Sequence, residues 1–162
     1  MASVRRDADR AAMQIRPMHE FDVPVVIAIE QEAYQFPWSE GIFRDCLRVG
    51  YVCRVVDVGT TMAGYGIMSL GAGEAHILNI CVRAEFRRLG IARALMTYLL
   101  SRARSAGMRE AFLEVRPSNT IEAHLYATLN FEKVGMRRGY YQAVGGREDA
   151  AVMRLILESN PR

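Results

Sequence analysis

Residues 75–92 read AHILNICVRAEFRRLGIA, and the two ends of this stretch demand different structures. Ala75 to Val82 is a nearly unbroken apolar run interrupted by Asn79, the pattern of a strand covered on both faces. From Ile91 onward, Ile91, Leu95, Tyr98, Leu99 and Ala103 fall on one stripe of a helix that runs through Arg104 and stops at Gly107. The join, Arg87-Arg88-Leu89-Gly90-Ile91-Ala92, therefore leads from a buried strand into the first turn of a long helix. A first helical turn offers unpaired N–H groups and a partial positive charge, and a glycine lets a ligand approach backbone that a side chain would cover. Such a join is either a pyrophosphate cradle or an ordinary strand-to-helix turn with solvated arginines.

Upstream of it, Ile15 to Met18 read as a short opening strand. Val25, Val26, Ile29 and Ala33 then give helical spacing over Asp22 to Tyr34, with Pro24 in the first turn. Phe36-Pro37-Trp38 breaks the pattern, and Ser39 caps a second helix ending near Gly50. Tyr51 to Val58 and Met62 to Leu70 read as strands joined by a turn at Gly59 to Thr61, with a further turn at Gly71 to Gly73. Downstream, Ala111 to Val115 is a strand, and Ser118 caps a helix carrying Ile121, Leu125 and Leu129. Two more strands lie near Phe131 to Gln142 and Ala150 to Leu157, with Arg147-Glu148-Asp149 as a polar turn before the last. A strand, two helices, three strands and then alternating helices and strands predict an α/β fold with a central mixed sheet and helices on its faces. Residues 1–13 read as a flexible extension and 14–158 as a single domain.

With 162 residues, 51% hydrophobic and 24% charged, the chain has the balance of one globular domain rather than a disordered one. A net charge of +3, with basic residues spread along the sequence, does not argue for nucleic acid. The longest apolar run, Val23 to Ile29, falls far short of the roughly 20 residues needed to cross a bilayer, so no membrane partner is expected. Cys46, Cys53 and Cys81 have neither metal-site nor paired disulfide spacing, so reduced thiols and no metal are expected.

Arg87, Gly90 and Ala92 match the loop Arg/Gln-x-x-Gly-x-Gly/Ala by which the GNAT acetyltransferases bind acetyl-CoA, and at this point the chain resembles that superfamily. Further residues narrow the resemblance: Phe36-Pro37-Trp38-Ser39, Leu113-Glu114-Val115-Arg116-Pro117-Ser118-Asn119, Leu125-Tyr126, Tyr140-Tyr141 and Arg147-Glu148-Asp149-Ala150. These are similar to the bacterial ribosomal-protein-alanine N-acetyltransferases of RimI type, over most of the chain from Ile15 to Leu157. One departure is Leu129-Asn130-Phe131, where those enzymes usually have Leu-Gly-Phe; the asparagine form is also similar to archaeal and eukaryotic N-terminal acetyltransferases. The resemblance implies the GNAT fold, a central twisted mixed sheet with helices on both faces. It implies an enzyme that takes acetyl-CoA as co-substrate and acetylates a protein N-terminus, the N-terminal alanine of small-subunit ribosomal protein eighteen, and the reduced thiols fit a cytoplasmic protein.

Acetyl transfer to an amine needs a bound thioester, a neutral amine, a polarised carbonyl and a proton for the departing thiolate. An α-amino group has a pKa of about 7.7 to 8.0, so near neutrality a base must take its proton. By resemblance that base is Glu114, although its strand pattern alone reads as a solvated carboxylate between inward Leu113 and Val115. Tyr126, which by pattern packs at the rim of its helix's apolar stripe, is by resemblance the acid that serves the thiolate. The resemblance assigns the cofactor to Arg87, Arg88, Leu89, Gly90, Ile91, Ala92 and Arg93, to Asn119, and to strand backbone at Ile80, Cys81 and Val82. Asn119 by itself is a cap or turn residue, and Cys81 is core rather than nucleophile, since a covalent mechanism needs a paired base and His76, the nearest histidine in sequence, has no triad context. Trp38, Tyr140 and Tyr141, otherwise packing residues, are expected to flank the peptide entrance. The acidic residues of Arg147-Glu148-Asp149 either belong to the turn or meet a basic peptide. A broader N-terminal acetyltransferase, a small-molecule amine acetyltransferase and a non-catalytic acyl-CoA sensor are the competing readings; Glu114 and Tyr126 together speak against the last.

Overall fold

The computed structural model describes residues 12–157. Its strands are β1 (Met13–Pro17), β2 (Val52–Val58), β3 (Thr61–Gly71), β4 (Glu74–Val82), β5 (Glu110–Val115), β6 (Glu132–Ala143) and β7 (Gly146–Ile156). The helices are α1 (Val23–Ala33), α2 (Glu40–Arg48), α3 (Ile91–Ser105) and α4 (Thr120–Thr128), with short 3-10 turns at Glu20–Asp22 and Ala84–Phe86. The strands hydrogen-bond in the order β1-β2-β3-β4-β5-β7-β6. The ladder of β4 with β5 is parallel, whereas β1–β2, β2–β3, β5–β7 and β6–β7 are antiparallel. This is the mixed sheet expected from the sequence. Most of the extension read over 1–13 lies outside the described residues, and Met13 opens β1.

Two compact units make up the chain: residues up to Met68 with Asn79–Leu99, and Ser69–Leu78 with the residues from Leu100 on. In the first unit, neighbouring residues of β3 point to opposite faces and show why both faces carry helices. Tyr65 meets Phe43 of α2 edge-on at 5.7 Å and gives its hydroxyl hydrogen to Glu30 of α1. A Cβ on Gly66 would press on Leu95 and Leu99 of α3 at 3.1 Å. Two positions earlier, a Cβ on Gly64 would collide with the Cys81 carbonyl oxygen, so only glycine lets β3 and β4 lie this close there. Ser39 caps α2 as expected, its Oγ accepting from the Ile42 N–H.

In the second unit, α4 departs from the sequence reading at both ends. Asn119, not Ser118, is the N-cap, its side chain accepting from the Glu122 N–H at 3.1 Å. Ser118 instead gives both its N–H and its hydroxyl to Glu148. Ile121 is exposed, and the residue α4 buries is Tyr126, 5% exposed rather than at the rim. At the far end the Asn130 N–H bonds to Ala127 O and the Phe131 N–H to Tyr126 O, both at 3.0 Å, with Asn130 at φ 71°. That is a Schellman motif, and its left-handed residue is where glycine or asparagine fits best. The departure at Leu129-Asn130-Phe131 is therefore a backbone substitution, asparagine serving the same conformation as glycine. The Tyr126 and Phe131 rings make the contact that accompanies this motif, 6.1 Å between centroids. Asn130→Ala should lower stability by about 1–2 kcal/mol while Asn130→Gly does not, as thermal melting of the two variants would reveal. A larger loss in the glycine variant would mean that the asparagine side chain, not its backbone angle, holds the turn.

The polar turn expected at Arg147-Glu148-Asp149 is strand: β7 starts at Gly146 and all three residues lie within it. Their side chains are engaged inside the unit, which explains why polar residues tolerate a sheet position. Asp149 accepts from the Gly139 N–H at 2.8 Å and Arg147 donates to the Gly139 carbonyl at 2.5 Å. Gly139, at φ 58°, sits in an irregularity of β6 where Arg137 and Tyr141 span four steps against two steps of β7.

Candidate active site

In the first unit, β4 reaches α3 through the Ala84–Phe86 turn and the loop 87–90. Backbone φ is −68° at Arg87, 66° at Arg88 and 78° at Gly90. Arg87 is extended (ψ 156°), and the left-handed positions are Arg88 and Gly90, on either side of Leu89. The Gly90 carbonyl accepts the first helical bond, from the Ala94 N–H at 3.0 Å, so Ile91, Ala92 and Arg93 supply the first-turn amides. Ile91 is buried, Leu89 and Ala92 are half-buried, and Arg87, Arg88, Gly90 and Arg93 are exposed.

The same unit holds the end of β4. Its ladder with β5 covers Glu74 to Ile77 only. Ile80 and Cys81 are buried and Val82 half-buried; Tyr34 donates its hydroxyl to the Ile80 carbonyl at 2.9 Å. Burial pushes the Cys81 thiol up to about 11, so it is protonated at neutral pH and a poor nucleophile. All three cysteines are buried and free. Nearby, the buried Glu30 carboxylate gathers three donors: the Tyr65 hydroxyl at 2.5 Å, Asn79 Nδ2 at 2.9 Å and the Trp38 N–H at 2.9 Å. Three hydrogen bonds offset the cost of burying a carboxylate and hold the Phe36-Pro37-Trp38 loop in place. The Trp38 ring leans on Phe43 at 5.3 Å.

The second unit holds the carboxylate. The Glu114 side chain is only 6% exposed, so it is not the solvated residue that strand alternation alone describes. Its Oε2 lies 2.5 Å from His76 Nε2, and its Oε1 lies 3.3 Å from Arg137 Nε. His76, set aside in the sequence for want of context, is thus the group in closest polar contact with it. The register explains the meeting: His76 pairs with Phe112, and Glu114 is two residues further along β5, on the same face as Phe112.

Tyr126 and Asn119 bracket α4 in this unit. Burial, helped by Glu122 and Tyr141, drives the Tyr126 hydroxyl well above the usual phenol range, so it carries its proton at every working pH. Tyr140 and Tyr141 stand edge to face at 4.9 Å, which adjacent residues of a regular strand cannot do; the irregularity around Gly139 brings them to one side. Arg137 lies over the Tyr140 ring and Arg116 over Tyr141, at 5.4 and 4.3 Å. Arg116 also pairs with Glu148, and the hydrogen bonds from Ser118, with Arg116 beside them, hold the Glu148 carboxyl below the usual carboxylate range.

Among the described residues no group of three or more His, Cys, Asp or Glu could hold a metal ion, and no helix is long and apolar enough to cross a membrane. Residues 15–131 match the model of the acetyltransferase (GNAT) family. The chain is 36% identical over 143 residues to the [ribosomal protein bS18]-alanine N-acetyltransferase of Escherichia coli K12, an alignment covering 88% of this chain and 97% of that one. The fold is similar to the crystal structure of the ribosomal-protein-S18-alanine N-acetyltransferase from Escherichia coli, with a TM-score of 0.85 and 33% identity over 93% of this chain and 97% of that one. It is also similar to Ard1 from Thermoplasma volcanium, with a TM-score of 0.84 and 28% identity over 91% of this chain and 99% of that one.

Proposed function

We propose that this chain, which belongs to the GNAT acetyltransferase family, acetylates the N-terminal alanine of small-subunit ribosomal protein eighteen. An acetyl-CoA-dependent N-acetyltransferase is what that membership makes it, and the substrate is carried by its likeness to the bS18-alanine enzymes. The observation that supports the chemistry best is the shielded Glu114 carboxylate, held by His76 and Arg137 while both its oxygens keep a second lone pair.

In this reading residues 14–158 work as one acetyltransferase domain in the cytoplasm, on a protein substrate rather than on nucleic acid or membrane. The amides of Arg87 to Arg93 bind the pyrophosphate, with Gly90 keeping the approach open, and Asn119 adds a contact to the cofactor. The backbone of Ile80, Cys81 and Val82, beyond the β4–β5 ladder, receives the pantetheine arm and polarises the thioester carbonyl. Glu114 takes a proton from the α-ammonium group, and the free amine attacks the thioester directly in a ternary complex. The tetrahedral intermediate collapses with loss of the thiolate, to which Tyr126 gives its hydroxyl hydrogen, and the proton that the attacking nitrogen sheds on becoming an amide restores the Tyr126 hydroxyl. Trp38, Tyr140 and Tyr141 are the residues that contact the peptide.

Selectivity for a free N-terminus follows from both charge and shape. A lysine ε-amine has a pKa of about 10.4 against about 7.7 to 8.0 for an α-amine, so near neutral pH a few hundredfold less of it is neutral. An internal lysine must also bring its own backbone past the aromatic residues. Mass spectrometry of an Ala-initiated peptide with acetyl-CoA should find one acetyl group on the α-amine, and the same peptide blocked at its N-terminus but containing lysine should stay almost unmodified. Equal modification of both would replace the N-terminal assignment with a less selective amine acetyltransferase. Within a panel of free N-termini, preference for the bS18 sequence separates the proposed substrate from a broad specificity.

A further inference from the structure

We propose that His76 is the positioning partner of Glu114 that passes the substrate's proton from the shielded carboxyl to solvent. The inference rests on the reading of Glu114 as the base. Acetylation of an ammonium group by a thioester yields an amide, a thiol and one proton beyond those the products keep. If Glu114 collects that proton, its side chain, 6% exposed, must hand it on before the next turnover. Among the described residues, His76 and Arg137 touch the carboxylate. Arg137 cannot carry the proton, because a guanidinium does not give up its own at any working pH. His76 Nε2 stands 2.5 Å from Oε2, and its side chain is 31% exposed, so the ring touches the carboxyl at one end and reaches water. Imidazole is the side chain that binds and releases protons near neutrality through two distinct nitrogens.

The step balances without another reactant. The Glu114 O–H bond breaks as a proton joins His76 Nε2, and the Nδ1–H bond breaks as a proton joins a water molecule. The carboxylate is restored with the ring's Nε2–H donating to it, a hydronium ion carries the proton away, and the ring exchanges to its Nδ1–H tautomer through solvent once Glu114 is protonated again. The other charged or titratable groups facing the carboxylate come from β6: Arg137, and Tyr140 and Tyr141, whose hydroxyls both feel the Glu114 charge. Those phenols are displaced upward and stay protonated, so neither competes for the proton.

His76→Ala opens a space that free imidazole can fill. We expect kcat on the free Ala-initiated peptide to fall on the order of tenfold, with the dissociation constant of acetyl-CoA unchanged, and to recover saturably as imidazole is added. Glu114→Gln should be slower still and indifferent to imidazole. His76→Gln, which keeps a hydrogen-bonding group against the carboxylate, serves if the alanine variant fails to fold; its kcat should be low and should rise with the concentration of buffer base. Wild-type kcat in either His76 variant, or a loss that neither imidazole nor buffer base relieves, overturns the relay while a slow Glu114→Gln leaves the base in place. Glu114→Gln at the wild-type rate removes the base itself, and the relay with it.

Discussion

Gly90→Asp should bind no acetyl-CoA detectable by calorimetry. The substitution places a carboxylate at the mouth of α3, where the proposed ligand brings a pyrophosphate, and like charges repel there. It also adds bulk where the backbone itself must touch the ligand. Gly90 has φ 78°, so any side chain there strains the loop, and the two causes must be separated. Gly90→Asn carries nearly the same bulk and the same strain without the charge. A lost affinity in the aspartate variant and a partial one in the asparagine variant would assign the effect to the phosphates. Circular dichroism and thermal melting report whether either variant still folds. A folded Gly90→Asp that binds acetyl-CoA with unchanged affinity would place the cradle elsewhere.

Glu114→Gln should lower kcat at neutral pH by about 10²–10⁴-fold, the range that general base catalysis usually supplies. The amide keeps the shape of the carboxylate and cannot accept the proton. The sign of the pH effect follows from the substrate. Below its pKa of about 7.7 to 8.0 the α-amine is mostly ammonium and depends on the base, whereas above it the free amine is abundant and the variant should recover part of the lost rate. Rates of peptide acetylation measured from below to above that pKa test the claim. A deficit that stays constant across the range would make Glu114 a binding residue, and wild-type rates at neutral pH would remove it from the mechanism.

Several parts of this site are legible in the sequence because they depend on residues close together in the chain. The loop from Arg87 to Ala92, the helix that follows and the Ser39 cap each need only a few consecutive side chains and the conformations those prefer. Resemblance names Glu114 and Tyr126 among the site residues but does not describe their surroundings. Alternation along β5 says that Glu114 points away from Leu113 and Val115 and nothing of what awaits it there. The helical stripe through Ile121, Leu125 and Leu129 put Tyr126 at its edge, while the Schellman turn at Asn130 and the contact with Phe131 put it at the buried centre. Arg147-Glu148-Asp149 has the composition of a turn, and becomes strand because Gly139, Ser118 and Arg116 satisfy its polar groups.

By itself the sequence determined the order of strands and helices and the strand-to-helix turn at Arg87 to Ala92, since periodicity, capping and loop motifs are properties of contiguous residues, and the resemblance of those motifs named the family. Only the tertiary structure decided that His76 and Arg137 meet Glu114 and that Tyr140 and Tyr141 stand together. A strand's period of two tells which face a residue takes but leaves open which residue of the neighbouring strand lies opposite, and that register is set by pairing across distant parts of the chain. Here it joins His76 to a residue 38 positions later, and a two-residue irregularity in β6 turns adjacent tyrosines to the same side.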